Sequence, residues 1–206
     1  MGKQSRAEFE EKRSKFIATV KPVDTEDGAI AFLNAVRSEY RMATHNVYAY
    51  HTSSPVGCKR YSDAGEPQGT AGMPVLNVIE KNGLEDIAIV VTRFFGGTLL
   101  GAAGLVRAYG RAATMGVEKA GVVRYDLCDD IYIMAGYPLL GTIKNEIEKS
   151  GLFIKSLEYG IDVEITVQVG IEHSGAFIEK IADLTSGAAI VEKSGASYST
   201  KKLKNL

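Results

Sequence analysis

The stretch Arg93-Phe94-Phe95-Gly96-Gly97-Thr98, followed by Gly101-Ala102-Ala103-Gly104, holds the densest chemistry in the chain. An apolar, β-branched run (87–93) precedes it and an amphipathic helical pattern follows, so a buried strand is expected to turn through paired glycines into a helix N-terminus. Free backbone N–H groups and the helix dipole suit such a junction to an anion, and glycine lets a phosphate approach the backbone closely. Arg107 and Arg111 are one helical turn apart and share a face, which Thr114 and Glu118 extend, while Arg93 at the strand end converges on the same space. The cluster Lys12-Arg13-Ser14-Lys15 adds further cations. The expected phosphate or RNA ligand set is therefore Lys12, Arg13, Lys15, Arg93, Gly96, Gly97, Thr98, Arg107 and Arg111. Neither GxxxxGK[ST] nor GxGxxG is present. The competing structural account is that the glycines permit tight helix–sheet packing and the arginines pair with Asp63, Glu66 or Glu118.

A second group lies in Arg60-Tyr61-Ser62-Asp63-Ala64-Gly65-Glu66-Pro67-Gln68-Gly69-Thr70. Asp63 and Glu66 are a carboxylate pair suited to acid–base work or to a hard cation, or alternatively to capping the next helix and pairing with Arg93 or Arg107. His45, in Thr44-His45-Asn46, is a candidate general base or a strand-start histidine bonded to backbone. His45, Asp63 and Glu66 are thus the catalytic candidates, and nothing marks Cys58, Ser62 or Thr70 as an activated nucleophile beside them. His45, His51 and Cys58 lack zinc spacing, so no metal and no cofactor is expected. Tyr48, Tyr50, Tyr61, Phe94 and Phe95 are available for base stacking or for ordinary packing.

Those residues sit in a chain of 206 residues with 24 Lys+Arg, 25 Asp+Glu and a formal net charge of −1. Bulk polyanion binding by net charge is excluded, though a local basic patch is not, because screening confines it to roughly 8 Å. Residues 1–127 carry 16 basic and 14 acidic groups, residues 128–206 carry 8 and 11, and all nine arginines lie at or before Arg124. Arginine's planar fork suits phosphate, so phosphate recognition belongs to the first segment. No run approaches the roughly 18 apolar residues of a membrane helix, and the N-terminus lacks an apolar signal region. With only Cys58 and Cys128 there is no disulfide framework. A cytoplasmic location follows as the expectation.

The elements that must position these groups divide the chain in two. In 1–127 the pattern predicts an extended strand over Glu8–Val20, and a helix capped by Asp24 that runs to Tyr40 on Ile30, Leu33, Val36 and Tyr40. It then predicts a strand over 46–51, a loop over 52–69, and a helix over 70–82. A buried strand over 87–93, a helix to Lys119 with Leu105, Val106, Tyr109, Ala113 and Val117 inward, and a closing strand over 122–127 complete the segment. In 128–206 a strand, a helix opened by Pro138, a hairpin around Gly160, a helix over 172–186 and a strand over 188–193 make the β-α-β-β-α-β order of a ferredoxin-like domain. Its open sheet face suits a protein partner, and His173 reads as a surface residue. No repeat is present.

Taken together, KRSKFIA (12–18), FLNAVRSEYRMATHNVYAY (32–50), SDAGEPQGTAGMPVL (62–76) and VVTRFFGGTLLGAAGLVRAYGRAA (90–113) resemble the IMPACT/YigZ family, also known as uncharacterised protein family 29. Thr44-His45-Asn46, Gly69-Thr70-Ala71-Gly72 and Arg107-Ala108-Tyr109 stand as in the family pattern, whereas Ala64 replaces an aspartate and Phe94 a tyrosine. The resemblance implies an α+β chain: a ribosomal-protein-S5-domain-2-like domain over 1–127, then a ferredoxin-like domain, similar to the last domain of elongation factor G, over 128–206. It also implies a link to translation, since eukaryotic relatives regulate the general amino-acid-control kinase by competing for its activator protein. They do so with an additional N-terminal domain that is not among these residues. Besides a fold-only adaptor with no ligand in its first domain, two functions stay open at this level. One is a non-enzymatic regulator contacting RNA, the ribosome or a translation factor. The other is an enzyme acting on a small phosphorylated or nucleotide-like substrate, with a loop over 52–69 as its lid. Oligomeric state is left open.

Overall fold

Alternation along two strands organises the first part of the chain in the computed structural model, which describes residues 3–203. β2 (Ser14–Pro22) and β5 (Ile87–Phe94) are buried on both faces and pair antiparallel at the centre of a sheet ordered β1-β2-β5-β3-β4, with β1 (Ser5–Glu11), β3 (His45–Thr52) and β4 (Cys58–Ser62). Phe16, Ala18, Val20, Ile87, Ile89 and Val91 face one way and pack against α2 (Gly72–Lys81) and α3 (Ala102–Ala120). Ala88 and Val90 face the other way and pack under α1 (Glu26–Glu39). Small residues let α3 lie close to the sheet: a Cβ on Gly116 would stand 2.7 Å from Val20 Cγ2 and 3.0 Å from Ala18 Cβ.

The chain separates into two compact units at Val123/Arg124, yet one long strand, β6 (Val122–Ala135), spans that point. The second unit continues with α4 (Tyr137–Lys149), β7 (Phe153–Tyr159), β8 (Val163–Gly170), α5 (Ile171–Leu184) and β9 (Ile190–Leu203), its sheet ordered β7-β8-β6-β9. Two strands joined by a helix, β6 and β7, have β8 inserted between them and antiparallel to both, which is the ferredoxin-like split βαβ. Ile131, Ile133, Val163, Ile165 and Val167 form the helix-facing core with Ile143, Ile147, Phe177 and Ile181. The molecule is thus the expected two-part α+β chain.

Several local expectations change. The strand expected over Glu8–Val20 is a hairpin whose two turn residues, Lys12 (φ 46°) and Arg13 (φ 65°), both take the left-handed conformation of a type I′ turn, and Glu11 pairs with Ser14 across it. Thr25 rather than Asp24 caps α1, its Oγ1 accepting from Gly28 N at 3.3 Å. The buried stripe of α1 is Ala29, Phe32, Leu33 and Val36, while Ile30 is exposed, because the sheet's apolar surface selects the neighbouring face of the helix. On α3, Val106 is likewise exposed and Ala108 and Ala112 are inward. The loop over 52–69 contains edge strand β4, whose burial alternates too weakly to read. The strand expected over 188–193 extends to Leu203, and Ser197 on it donates to Asp130 Oδ1 at 2.8 Å. No helix among the described residues is long and apolar enough to cross a membrane.

Candidate functional site

Residue Arg93 continues the inward row Ile87, Ile89, Val91 of β5, so alternation alone drives a guanidinium into the core-facing side of the sheet, where it is 5% exposed. A buried cation requires a partner. Glu66, from the segment between β4 and α2, supplies it: Arg93 Nη1 donates to Glu66 Oε1 at 2.6 Å, and the side chains are only 6% and 4% exposed. Tyr109 of α3 donates its hydroxyl to the same oxygen at 2.7 Å. Burial above all, then the hydrogen bond to Glu66 and its charge, push the Tyr109 phenol well above its ordinary range, so it remains a proton donor. Arg93 Nη2 donates to Ser14 Oγ at 3.3 Å, and that hydroxyl also accepts from Gly96 N at 3.2 Å. Arg93 Nε is buried without a partner among the described residues.

Strand pairing sets His45 of β3 opposite Arg93. Its Nδ1 lies 2.9 Å from Ala64 O, so Nδ1 carries the proton in that bond, and its Nε2 lies 3.9 Å from Glu66 Oε1. Asp63 has another task. Its Oδ2 accepts from Gly69 N at 2.9 Å and its Oδ1 from Ala71 N and Gly72 N at 3.0 and 2.8 Å, which caps the start of α2. Burial raises the Asp63 carboxyl, but these N–H bonds to Gly69, Gly72 and Ala71 together hold it below the ordinary value. Asp63 is saturated by backbone and Glu66 Oε1 by Arg93 and Tyr109, so the two carboxylates do not converge as an acid–base pair. Among the described residues no group of three or more His, Cys, Asp or Glu side chains is placed to hold a metal.

Above the buried pair opens a cavity of about 360 Å³. Thr44, His45, Glu66 and Arg93 form its polar end, and Phe95, Leu99, Leu100, Leu105 and Pro67 its apolar walls, with Gly101 and Ala102 at the start of α3. Helix α3 begins at Ala102, after Gly101 and without a side-chain cap, so the free N–H groups lie there rather than at Gly96-Gly97. Gly97 and Thr98 are exposed in the intervening loop. Gly96 serves close approach: a Cβ there would fall 1.9 Å from Arg13 O, so the Lys12-Arg13 turn rests on its backbone.

Of the expected phosphate set, the structure gathers Arg93, Gly96 and the Lys12-Arg13 turn around this end of β5, with Arg93 inside and the turn outside. Lys15 pairs with Glu8 at 3.1 Å. Arg107 and Arg111 are exposed on α3, the Arg111 guanidinium carbon 4.5 Å from the Phe9 ring centroid. Sequence reasoning missed Ser14 and Tyr109 as polar partners. Tyr109 reads as core by helical spacing, and its hydroxyl at full burial is the signal that it needs an acceptor. In the second unit, His173 is exposed, and the sheet face away from the helices carries Asp130, Lys155, Gln168 and Ser197 in one polar network, with Lys155 Nζ 2.7 Å from Asp130 Oδ2.

Comparison with known proteins agrees with this architecture. Residues 12–117 match the Impact N-terminal domain and residues 133–188 a domain of unknown function, DUF1949. The chain is 36% identical to the IMPACT family member YvyE of Bacillus subtilis, covering 94% of this chain and 89% of that one. It is 31% identical to the IMPACT family member YigZ of Escherichia coli, covering 86% and 88%. A solved structure of a hypothetical protein superposes with a TM-score of 0.54 at 28% identity over 93% of this chain and 94% of that one. The chain belongs to the IMPACT family and has the family's two-domain form.

Proposed function

We propose that this protein is a non-enzymatic, translation-linked binding protein of the cytoplasm whose first unit contacts RNA, including RNA of the ribosome. Family membership supports the link to translation. The observation that carries the RNA contact is the placement of its unburied cations. Ser5 Oγ bonds Gly116 O at 2.9 Å and Arg111 covers Phe9, so β1 runs antiparallel to α3. The Lys12-Arg13 turn therefore lies toward the start of α3, on the side of Arg107 and Arg111. Lys12, Arg13 and Arg107 are exposed and make no ion pair among the described residues. An edge of point and planar cations beside an uncapped helix start fits a phosphate backbone. The open face of the second unit is assigned to a protein partner.

The test is capture of the intact protein from lysate, with and without ribonuclease, over a salt series, followed by titration with single-stranded RNA. Removing Lys12, Arg13 and Arg107 together, each to Gln, is expected to lower the salt slope by about 0.7 for every phosphate no longer neutralised, and to weaken all sequences alike. RNA affinity that ignores both salt and these substitutions would sink the proposal.

A further inference from the structure

A phosphate-reading edge carries no sequence information, yet the cavity beside it is built to discriminate. Its polar end presents acceptors. In the tautomer with Nδ1 donating to Ala64 O, the His45 ring offers a lone pair at Nε2 on the cavity. Glu66 keeps Oε2 without a hydrogen-bond partner among the described residues, although the side chain is 4% exposed and lines the cavity. Two acceptors at one end of the cavity suit two adjacent donors on a ligand that covers them, because a ligand that buried either acceptor unmatched would bind at a cost. The walls are apolar, and Phe95 is 45% exposed, with its ring centroid 5.4 Å from the Arg93 guanidinium carbon. At about 360 Å³ the space is at the small end of ligand sites. A flat ring system with a two-donor edge meets all three conditions.

We infer that the cavity receives a single unpaired guanine base, its N1–H and N2–H groups donating to Glu66 Oε2 and His45 Nε2. Adenine and cytosine present one exocyclic amine beside a ring acceptor on that edge, and uracil presents one N–H between two carbonyls, so each sets a lone pair against Glu66 or His45. The attached phosphate meets the uncapped N–H groups of α3 at Ala102 and the outward cations. Splaying an unstacked base onto an aromatic side chain is the usual way a protein reads single-stranded RNA. The inference rests on the RNA-binding reading for the source of the base; the cavity itself serves a free guanine nucleotide equally.

The experiment compares a short oligouridine carrying one central guanosine with the same strand carrying inosine, adenosine or only uridine, alongside guanosine and adenosine 5′-monophosphates. The guanosine strand is expected to bind about ten-fold tighter than the all-uridine strand, with inosine, which lacks the N2 amine, between them. Phe95→Ala, which removes an exposed apolar wall of the cavity but no cation and no helix-start N–H, is expected to abolish that preference and leave the salt slope intact; Glu66→Gln, which replaces the acceptor pair by an amide, is the companion variant. Equal binding of all strands together with equal binding of both monophosphates overturns the base site while leaving the RNA edge standing. Guanosine monophosphate preference without any RNA affinity keeps the base site, names a free nucleotide as its source, and removes the RNA reading.

Discussion

The two units handle charge in opposite ways. In the first, Arg93 and Glu66 are buried together, 6% and 4% exposed, inside an otherwise apolar wall. In the second, acids near the core reach outward lysines. Asp130 meets Lys155, Glu146 meets Lys180 and Asp129 meets Lys193, with lysine exposures of 44%, 56% and 51%. The lysine hydrogen bonds lower the Glu146 and Asp129 carboxyls more than burial raises them, so both lie below their ordinary values. A solvated ion pair is weak and replaceable, whereas a buried one is costly to assemble and costlier to break. Stability alone would favour a hydrophobic pair at 66 and 93.

The sharpest way to break this contrast is Glu66→Ala, which strands the Arg93 guanidinium. A loss of about 3–5 kcal/mol is expected in urea unfolding, largely recovered by adding Arg93→Met. A loss no greater than that of a surface pair would erase the distinction between the units. Gly96→Ala comes next. Its Cβ would overlap Arg13 O at 1.9 Å, and backbone cannot yield as a side chain does, so about 1–3 kcal/mol is expected along with displacement of the basic turn. Unchanged stability and unchanged RNA affinity would show that the turn does not rest there.

Removing the cap with Asp63→Asn is expected to cost about 1 kcal/mol at neutral pH. The folded carboxyl titrates below its ordinary value of 3.8, so its contribution is complete above that value and is lost as pH falls toward the folded one. Acid titration of stability should therefore be shallower in the variant than in the parent protein below about pH 4; parallel curves would remove Asp63 from that role. The smallest effect belongs to Lys155→Ala, about 1 kcal/mol or less and fading with added salt. A larger loss would mean that the open face of the second unit is held as tightly as the floor of the cavity.

Much of this was legible in the residues. The second unit follows its sequence where β8 alternates cleanly, where Pro138 sits in the first turn of α4 and where Gly151 and Gly187 follow the ends of α4 and α5, whereas β7 carries a register shift between Ile154 and Ser156. The first unit was harder. β2 and β5 are buried on both faces, which removes the alternation that locates a face, and the type I′ turn at Lys12-Arg13 has none of the Asn or Gly that announces one.

For the site, the sequence by itself determined the participants: a glycine pair after a buried strand, an arginine ending that strand, acids in the loop before α2 and a histidine opening β3. Only the tertiary structure decided their roles. Asp63 and Glu66 are three positions apart in one segment, yet one turns to the helix start and the other into the core. Tyr109 reaches Glu66 from a helix far along the chain. Spacing specifies which way a side chain points along its own element. Which partner it meets depends on how sheet and helices pack, and in a buried place that partner sets whether a carboxylate is a base, a cap or a counterion.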